Sequence, residues 1–419
     1  MPTTPDTAID AARRLMERCD ELAAFSEEPG MITRRYGTAA MAGAMARVET
    51  WMAAAGMDVR RDGIGNLIGV YPAAPESGES RRFVIGGHLD SVRDAGRYDG
   101  ILGVLTGLAV VERLHAAGRR LPFAIELVAF AEEEGMRFPS FIASRAYAGI
   151  PIDEQLGSVD DEGITLRDAI RAAGGDPVRI AGGEAVIGDL LGFIEVHIEQ
   201  GPVLEREGLP VGVVPSIIGS TRGHFVVTGM AGHAGTVPMA MRRDALTAAA
   251  ELILVIDQVG CETAGLVATV GQLAVAPGAS NVIPGAVRAT LDLRHADAVV
   301  RARAVEAILA RAVEIAGRRG VEIAWTPVAG YEATPCDAGL MALLADAIAA
   351  EGLRVLEVPS GAGHDAISLA RIAPVAMLFV RCEGGVSHNP AEAVAVDDVA
   401  VAIRVLGGAL DRVAGRAAD

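Results

Sequence analysis

The sequence predicts an α/β protein: a mixed, largely parallel sheet flanked by helices, interrupted by an inserted α+β domain of ferredoxin-like type. Three observations carry this expectation. Strand-like apolar runs alternate with helix-length stretches through the first half. Near Val214 the pattern changes to the order β-α-β-β-α-β, the split βαβ arrangement. From residue 337 the first alternation resumes.

The elements follow in order. Residues 8–24 and 38–55 have helical apolar spacing, and Gly56 is a stop signal. IGNLIGVYP and RRFVIGGH read as strands, residues 101–117 as a buried helix, and FAIELVAFA as a further strand. Residues 151–190 are acidic and Gly-rich in patches and read as a helix with loops, before the strand GFIEVHI. In the insertion, 222–229, 265–273, 284–294 and 320–327 read as strands, with helices over 241–259 and 297–318. A helix (337–352), a strand (353–358), a helix (365–371) and a strand (374–380) then return to the first pattern. Residues 1–214 and 331–419 are therefore expected to form one domain, and residues 215–330 an inserted lid of ordinary domain size.

Composition narrows the function. The chain has 419 residues, and at 51% hydrophobic but 4% aromatic its cores must be built from Ala, Val, Leu and Ile. All 37 basic residues are Arg. The net charge of −17 excludes nucleic acid as a ligand class, because phosphate binding needs a basic face. An anionic substrate would need a local Arg to hold it. Cys19, Cys261, Cys336 and Cys382 are scattered without C-x-x-C spacing and read as reduced thiols of a cytoplasmic protein. The N-terminal MPTTPDTAIDAARRL lacks an apolar signal, and no apolar run is long enough to span a bilayer, so no membrane association is expected.

The residues that carry chemistry cluster at strand ends. His88 ends FVIGGH, Glu133 and Glu134 follow LVAFA, His197 lies near the end of GFIEVHI, and His388 follows VAMLFV. Sites in open α/β sheets form at the carboxyl ends of strands. Asp99 lies in the Gly-rich turn AGRYDG. Imidazole and carboxylate are ligands that suit Zn²⁺, Mn²⁺, Co²⁺ or Ni²⁺. Three consecutive glutamates after a buried strand are costly unless a cation compensates them. Neighbouring residues there point in different directions, so one Glu can bind metal while the other serves as general base. Asp90, two residues after His88 and on the same side of an extended chain, can accept the other imidazole N–H and fix its tautomer. In the insertion, GMAGHAGTVP holds His233 in a small-residue loop, and Asn281 in GASNVIPG and Arg294 in ATLDLRH could reach an anionic group, for which Arg is well suited. Each residue alone reads more simply as a core histidine, a turn aspartate or a structural arginine. The whole set, at corresponding strand ends, points to a two-metal hydrolytic centre.

GGHLDSV…GRYDG, EEEGMRF, HIEQGPVL, GHAGTVPM, SNVIPG, LDLRH, GAGHDA and GVSHNPAE resemble the motifs of the allantoate amidohydrolase and N-carbamoyl-L-amino-acid hydrolase family. That family belongs to the aminoacylase-like group of dinuclear metallohydrolases. The resemblance runs in the expected order over nearly the whole chain. It implies two divalent ions per subunit, Zn²⁺ or Mn²⁺, with Co²⁺ or Ni²⁺ as alternatives. Asp99 would bridge them, His88 and His197 would complete one ion, and Glu134 and His388 the other. Glu133 would be the general base. His233 would come from the lid, in such families often the lid of the second subunit, and polarise the scissile carbonyl. Gln200, Asn281, Arg294 and the Gly363–His364 turn would contact substrate, with Arg294 on its carboxylate. The resemblance also implies a homodimer formed through the insertion. The implied substrate is a small anionic ureido or N-carbamoyl compound. Allantoate, cleaved to release ammonia and CO₂ in purine catabolism, stands first and N-carbamoyl-L-amino acids a close second. An aminoacylase or dipeptidase on the same scaffold is the nearest rival, and a non-catalytic binding protein the rival from another class. Two positions depart from the family pattern: Gly87 and Met136 stand where Ser is common. Neither removes a ligand.

Overall fold

The computed structural model describes residues 7–78, 80–180 and 190–418. In chain order the main elements are α1 (Ala8–Ala23), α2 (Ala39–Ala54), β1 (Asp58–Arg61), β2 (Leu67–Tyr71), β3 (Arg82–His88), α3 (Ile101–Ala116), β4 (Ala124–Phe130), β5 (Leu190–Ile198), β6 (Val211–Val214), β7 (Gly219–Thr228), α4 (Ala245–Glu262), β8 (Val267–Thr269), β9 (Leu273–Ala276), β10 (Ala286–His295), α5 (Ala298–Arg319), β11 (Glu322–Tyr331), α6 (Ala338–Ala350), β12 (Val375–Val380) and α7 (Val396–Ala418). They form two compact units, Met1–Pro215 with Cys336–Asp419, and Ser216–Pro335.

The first unit is built on a seven-stranded sheet of order β1-β2-β4-β3-β5-β12-β6. Its four central strands, β4, β3, β5 and β12, run parallel. The outer pairings are antiparallel. The central strands are buried almost throughout, as parallel strands covered on both faces must be. Helix α3 explains its apolar sequence. It packs on β3, β4 and β5 with one side and meets α1 and α7 with the other. Thr7 and Thr38 open α1 and α2 by accepting the backbone N–H of Asp10 and Met41.

The second unit has a sheet of order β8-β10-β7-β11, with β9 also paired to β10, and every pairing is antiparallel. Alternate residues of one face, Phe225, Val227, Val287, Leu291 and Leu293, join Leu252 and Ile256 of α4 and Ile308 and Ile315 of α5 in a separate core.

Four sequence expectations differ from the structure. Residues 353–358 are not a strand. Val213 pairs with this segment through Leu356 O and Val358 N at 2.9 Å each, in one isolated bridge. Pro359 then has no N–H with which to extend it. The strand expected over 265–273 is split into β8 and β9, because the Gln272 N–H turns to the Thr290 hydroxyl instead of the ladder. The helix expected over 365–371 is the single turn Ala366–Leu369, followed by turns that end at Pro374. The second unit runs to Pro335 rather than residue 330, since Thr334–Pro335 pairs with Ser216–Ile217. Residues 181–189, part of the stretch expected as helix and loops, and residues 1–6 of the N-terminal segment lie outside the described residues. Among the described residues, no helix is long and apolar enough to cross a membrane. The four cysteines are unpaired, and only Cys261 is exposed.

Candidate active site

Because the central strands are parallel, their carboxyl ends share one edge. His88 is the last residue of β3, and His197 is the penultimate residue of β5. The loop after β4 carries Glu133 and Glu134, and the loop after β12 carries His388. Asp99 lies two residues before the start of α3, and its carbonyl accepts the Ile101 N–H at 2.8 Å. A carboxylate is favoured at this positive end of a buried helix.

Asp99 is the centre of the arrangement. Its Oδ1 lies 3.1 Å from His197 Nε2 and 3.5 Å from His88 Nε2. Its Oδ2 lies 3.4 Å from His388 Nε2, which is 3.6 Å from Glu134 Oε2. Among the described residues, potential ligand atoms converge in three sets, each within 4.8 Å: His88–Asp99–His197, Asp99–Glu134–His388, and His88–Glu133–Glu134. Asp99 belongs to the first two sets, so its two oxygens face different groups of ligands. His88, His197, Asp99 and Glu133 are buried, while His388 lies at the exposed rim.

The ring orientations suit metal binding. His88 Nδ1 is 3.1 Å from the Asp90 carbonyl oxygen and 3.3 Å from Asp90 Oδ1. His197 Nδ1 is 2.9 Å from the Ile198 carbonyl oxygen. A carbonyl can only accept, so in the neutral rings Nδ1 carries the proton and the Nε2 lone pair faces the site. Asp90 does further work: its carboxylate accepts the N–H of Glu133 at 3.1 Å and of Glu134 at 3.0 Å. One side chain thus holds both a ligand imidazole and the loop of the acidic triplet.

The electrostatics call for a cation. Burial, with the charge of Glu134 beside it, raises Glu133 well above the usual carboxylate range, and burial followed by the charge of Asp99 raises Glu134 to about 7. Asp99 moves the other way. Burial would raise it, but His197, His388 and His88 together hold it well below its ordinary value. Burial likewise opposes protonation of His88, yet its bonds to Asp90 and Asp99 leave its pKa well above normal. These directions favour positive charge shared between the groups, which a divalent ion would supply. Glu134 Oε1 is buried with no hydrogen-bond partner, which a cation would satisfy. The donor set of imidazoles and carboxylates fits a first-row divalent ion.

Other predicted residues fall in varied places. Gln200 Nε2 donates to Asp99 Oδ2 at 2.8 Å and to Ser387 Oγ at 3.2 Å, while its buried Oε1 has no partner. The imidazole of His364 is buried behind His197, with ring centroids 4.5 Å apart and Nε2 2.7 Å from Ser360 Oγ. In the second unit, His233 Nδ1 accepts the Gly235 N–H at 3.0 Å, so its proton sits on Nε2. Asn281 is beside it: the Asn281 carbonyl accepts the Ala234 N–H at 3.0 Å, and His233 pairs in register with Val282. Arg294 is half-buried and bidentate on Asp292, with both bonds at 2.8 Å. Sequence reasoning missed Ser387 and Glu392. Ser387 Oγ donates to Asp99 Oδ2 at 2.6 Å, and Glu392 Oε1 accepts the Tyr98 and Asp99 N–H groups at 2.7 and 3.1 Å. Their only sequence signal is nearness to His388 in VSHNPAE.

Peptidase family M20/M25/M40 matches the chain over residues 84–412. The chain is 39% identical over 416 residues to a probable allantoate deiminase of Oryza sativa subsp. japonica, which covers 91% of this chain and 84% of that protein. It is 41% identical over 395 residues to an N-carbamoyl-L-amino acid amidohydrolase of Geobacillus stearothermophilus, covering 94% and 96%. Among solved structures it is similar to an amidase of the hydantoinase/carbamoylase family from Burkholderia multivorans. The TM-score is 0.90 at 33% identity, over 96% of this chain and 98% of that one. With its metal-ready cluster at the sheet edge, the chain belongs to peptidase family M20/M25/M40, as a hydrolase of carbon–nitrogen bonds in a metal-dependent family.

Proposed function

We propose that this protein hydrolyses the ureido C–N bond of small anionic carbamoyl compounds, with allantoate the first choice of substrate and N-carbamoyl-L-amino acids the second. The observation that carries the mechanism is Asp99 shared between two ligand sets, beside the separate buried carboxylate of Glu133. The names of the relatives in rice and Geobacillus support the substrate class.

His88 and His197 would hold one divalent ion with Asp99, and Glu134 and His388 a second with the same carboxylate. Such ions, when bound, supply Lewis acidity for the carbonyl and acidify water. Glu133 takes a proton from the attacking water. Burial moves its pKa upward from the ordinary carboxylate value, the direction that strengthens a carboxylate as a base. As the water oxygen bonds to the ureido carbon and the C–N bond breaks, Glu133 returns that proton to the departing nitrogen. The carbamic acid so released breaks down to ammonia and CO₂. Gln200 Oε1 is an unused acceptor suited to a ureido N–H.

In this reading the second unit, with its β8-β10-β7-β11 sheet, is a ferredoxin-like lid and the dimerisation element of a cytoplasmic homodimer. His233 donates its Nε2 proton to the carbonyl oxygen, and Asn281 and Arg294 receive the substrate's carboxylate end. The Gly363–His364 turn contributes through its main chain, because the His364 ring is buried. The test is a panel of allantoate, N-carbamoyl amino acids, N-acetyl amino acids and dipeptides, run with Mn²⁺ and with Zn²⁺. Ureido substrates are expected to be turned over fastest with at least one metal. Preference for N-acetyl amino acids or dipeptides would transfer the protein to the aminoacylase or peptidase reading.

A further inference from the structure

We infer that Glu392 is a positioning residue that fixes both oxygens of Asp99 and thereby couples the two ion sites. This rests on the two-metal reading above. Glu392 is buried, at 4% exposure. Its Oε1 grips the main chain of the Asp99 turn through the N–H groups of Tyr98 and Asp99. Its Oε2 lies 3.4 Å from Ser387 Oγ, the same hydroxyl that donates to Asp99 Oδ2. Asp99 is therefore held at its backbone by Glu392 and at its side chain by a serine that lies against the other Glu392 oxygen. Gly96 makes room for this contact, since a Cβ there would collide with the Glu392 carboxylate.

The geometry matters because a bridging carboxylate has two jobs. Oδ1 must face His88 and His197 while Oδ2 faces His388. Rotation about the Asp99 side chain would keep one set of ligands and abandon the other. Gln200 and Ser387 both donate to Oδ2, but neither holds the backbone from which the side chain springs. Glu392 does, and it lies in the same loop as His388. It thus ties the turn carrying the shared ligand to the loop carrying a ligand of only one ion.

The test is a titration of metal-free protein with Co²⁺, followed by calorimetry and by the visible absorption of the bound ion, without substrate. Wild type is expected to take up two ions. Glu392→Ala should keep one and bind the other about 10–100-fold more weakly, the usual consequence of removing a partner of a metal ligand. Glu392→Gln retains an oxygen that can accept both N–H groups and should bind two ions nearly as wild type does. If Glu392→Ala binds both ions with wild-type affinity, or merely melts earlier with both affinities unchanged, the inference is wrong. It is equally wrong if Glu392→Gln is as impaired as Glu392→Ala, because the backbone grip would then not be the cause. Should Glu392→Ala fail to fold, Ser387→Ala reports instead, with the same division between ions expected and equal affinities overturning it. Wild type binding fewer than two ions would remove the two-metal reading itself.

Discussion

At the scale of single residues, the acidic triplet shows how neighbours acquire different roles. Glu132 turns into the protein and accepts the Phe138 N–H, Glu133 joins the set with His88, and Glu134 reaches the set with His388. Glu133→Gln should lower kcat about 10²–10⁴-fold, the span typical of a lost general base, with metal uptake unchanged. Steady-state kinetics beside metal analysis checks this, and near-normal kcat would remove the base assignment. Glu134 makes a different prediction. Its folded pKa, about 7, lies above the ordinary value of 4.5, mainly through burial and then the charge of Asp99. Between these values the folded metal-free protein holds a proton that the unfolded chain has released. Its contribution is therefore fully present below pH 4.5 and lost as pH rises through 7. Metal-free Glu134→Gln should melt above wild type at pH 8, and the advantage should vanish toward pH 4.5. An advantage that instead grows on acidification would show that the sign is wrong. The clustering of His88, Asp99, Glu134, His197 and His388 was readable in the sequence because imidazoles and acids at strand ends are rare enough to stand out. The engagement of Gln200 with Asp99 and the burial of His364 behind His197 were not, since both depend on loops meeting across the fold.

At the scale of elements, helix α3 and its neighbouring strands define how accurately the ligands are placed. Its sequence, ILGVLTGLAVVERLHA, is apolar on nearly every side, which announces a buried helix without saying which elements cover it. Close contact comes through Gly103, where an added Cβ would collide with the Val196 carbonyl one residue before His197. Gly103→Ala should therefore push α3 away from β5 at an overpacking cost of about 1–3 kcal/mol. Because α3 starts directly after Asp99 and Gly100, the displacement should also weaken metal binding. Thermal unfolding and Co²⁺ titration would test both effects, and a variant unchanged in either measurement would show slack in this contact. By contrast, residues 353–358 have strand-like alternation yet form one bridge. Alternation reveals a chain's preference but not whether a partner strand is long enough to pair with it.

At the scale of the whole molecule, the change of pattern near Val214 was visible because the order of elements alters there. The return was less visible. Strand β11 runs on to Tyr331, and Thr334–Pro335 pairs with Ser216–Ile217 before the chain re-enters the first unit. At that junction the Cys336 N–H donates to the Pro215 carbonyl at 3.0 Å. The two ends of the interrupted unit are thus already neighbours, and a short linker can join them with little loop-closure entropy. His88, Asp99, Glu133, Glu134, His197 and His388 all belong to the first unit, which has its own seven-stranded sheet, whereas His233, Asn281 and Arg294 belong to the second, with its own core. Replacing residues 216–335 by a few glycines should therefore give a folded protein that still binds two ions but no longer hydrolyses ureido substrates. Circular dichroism, metal titration and the substrate panel would separate these outcomes. Loss of metal binding would mean that the first unit needs the insertion to hold its ligands. Retained turnover would show that His233, Asn281 and Arg294 are dispensable, and the proposed division of labour between the two units would fall.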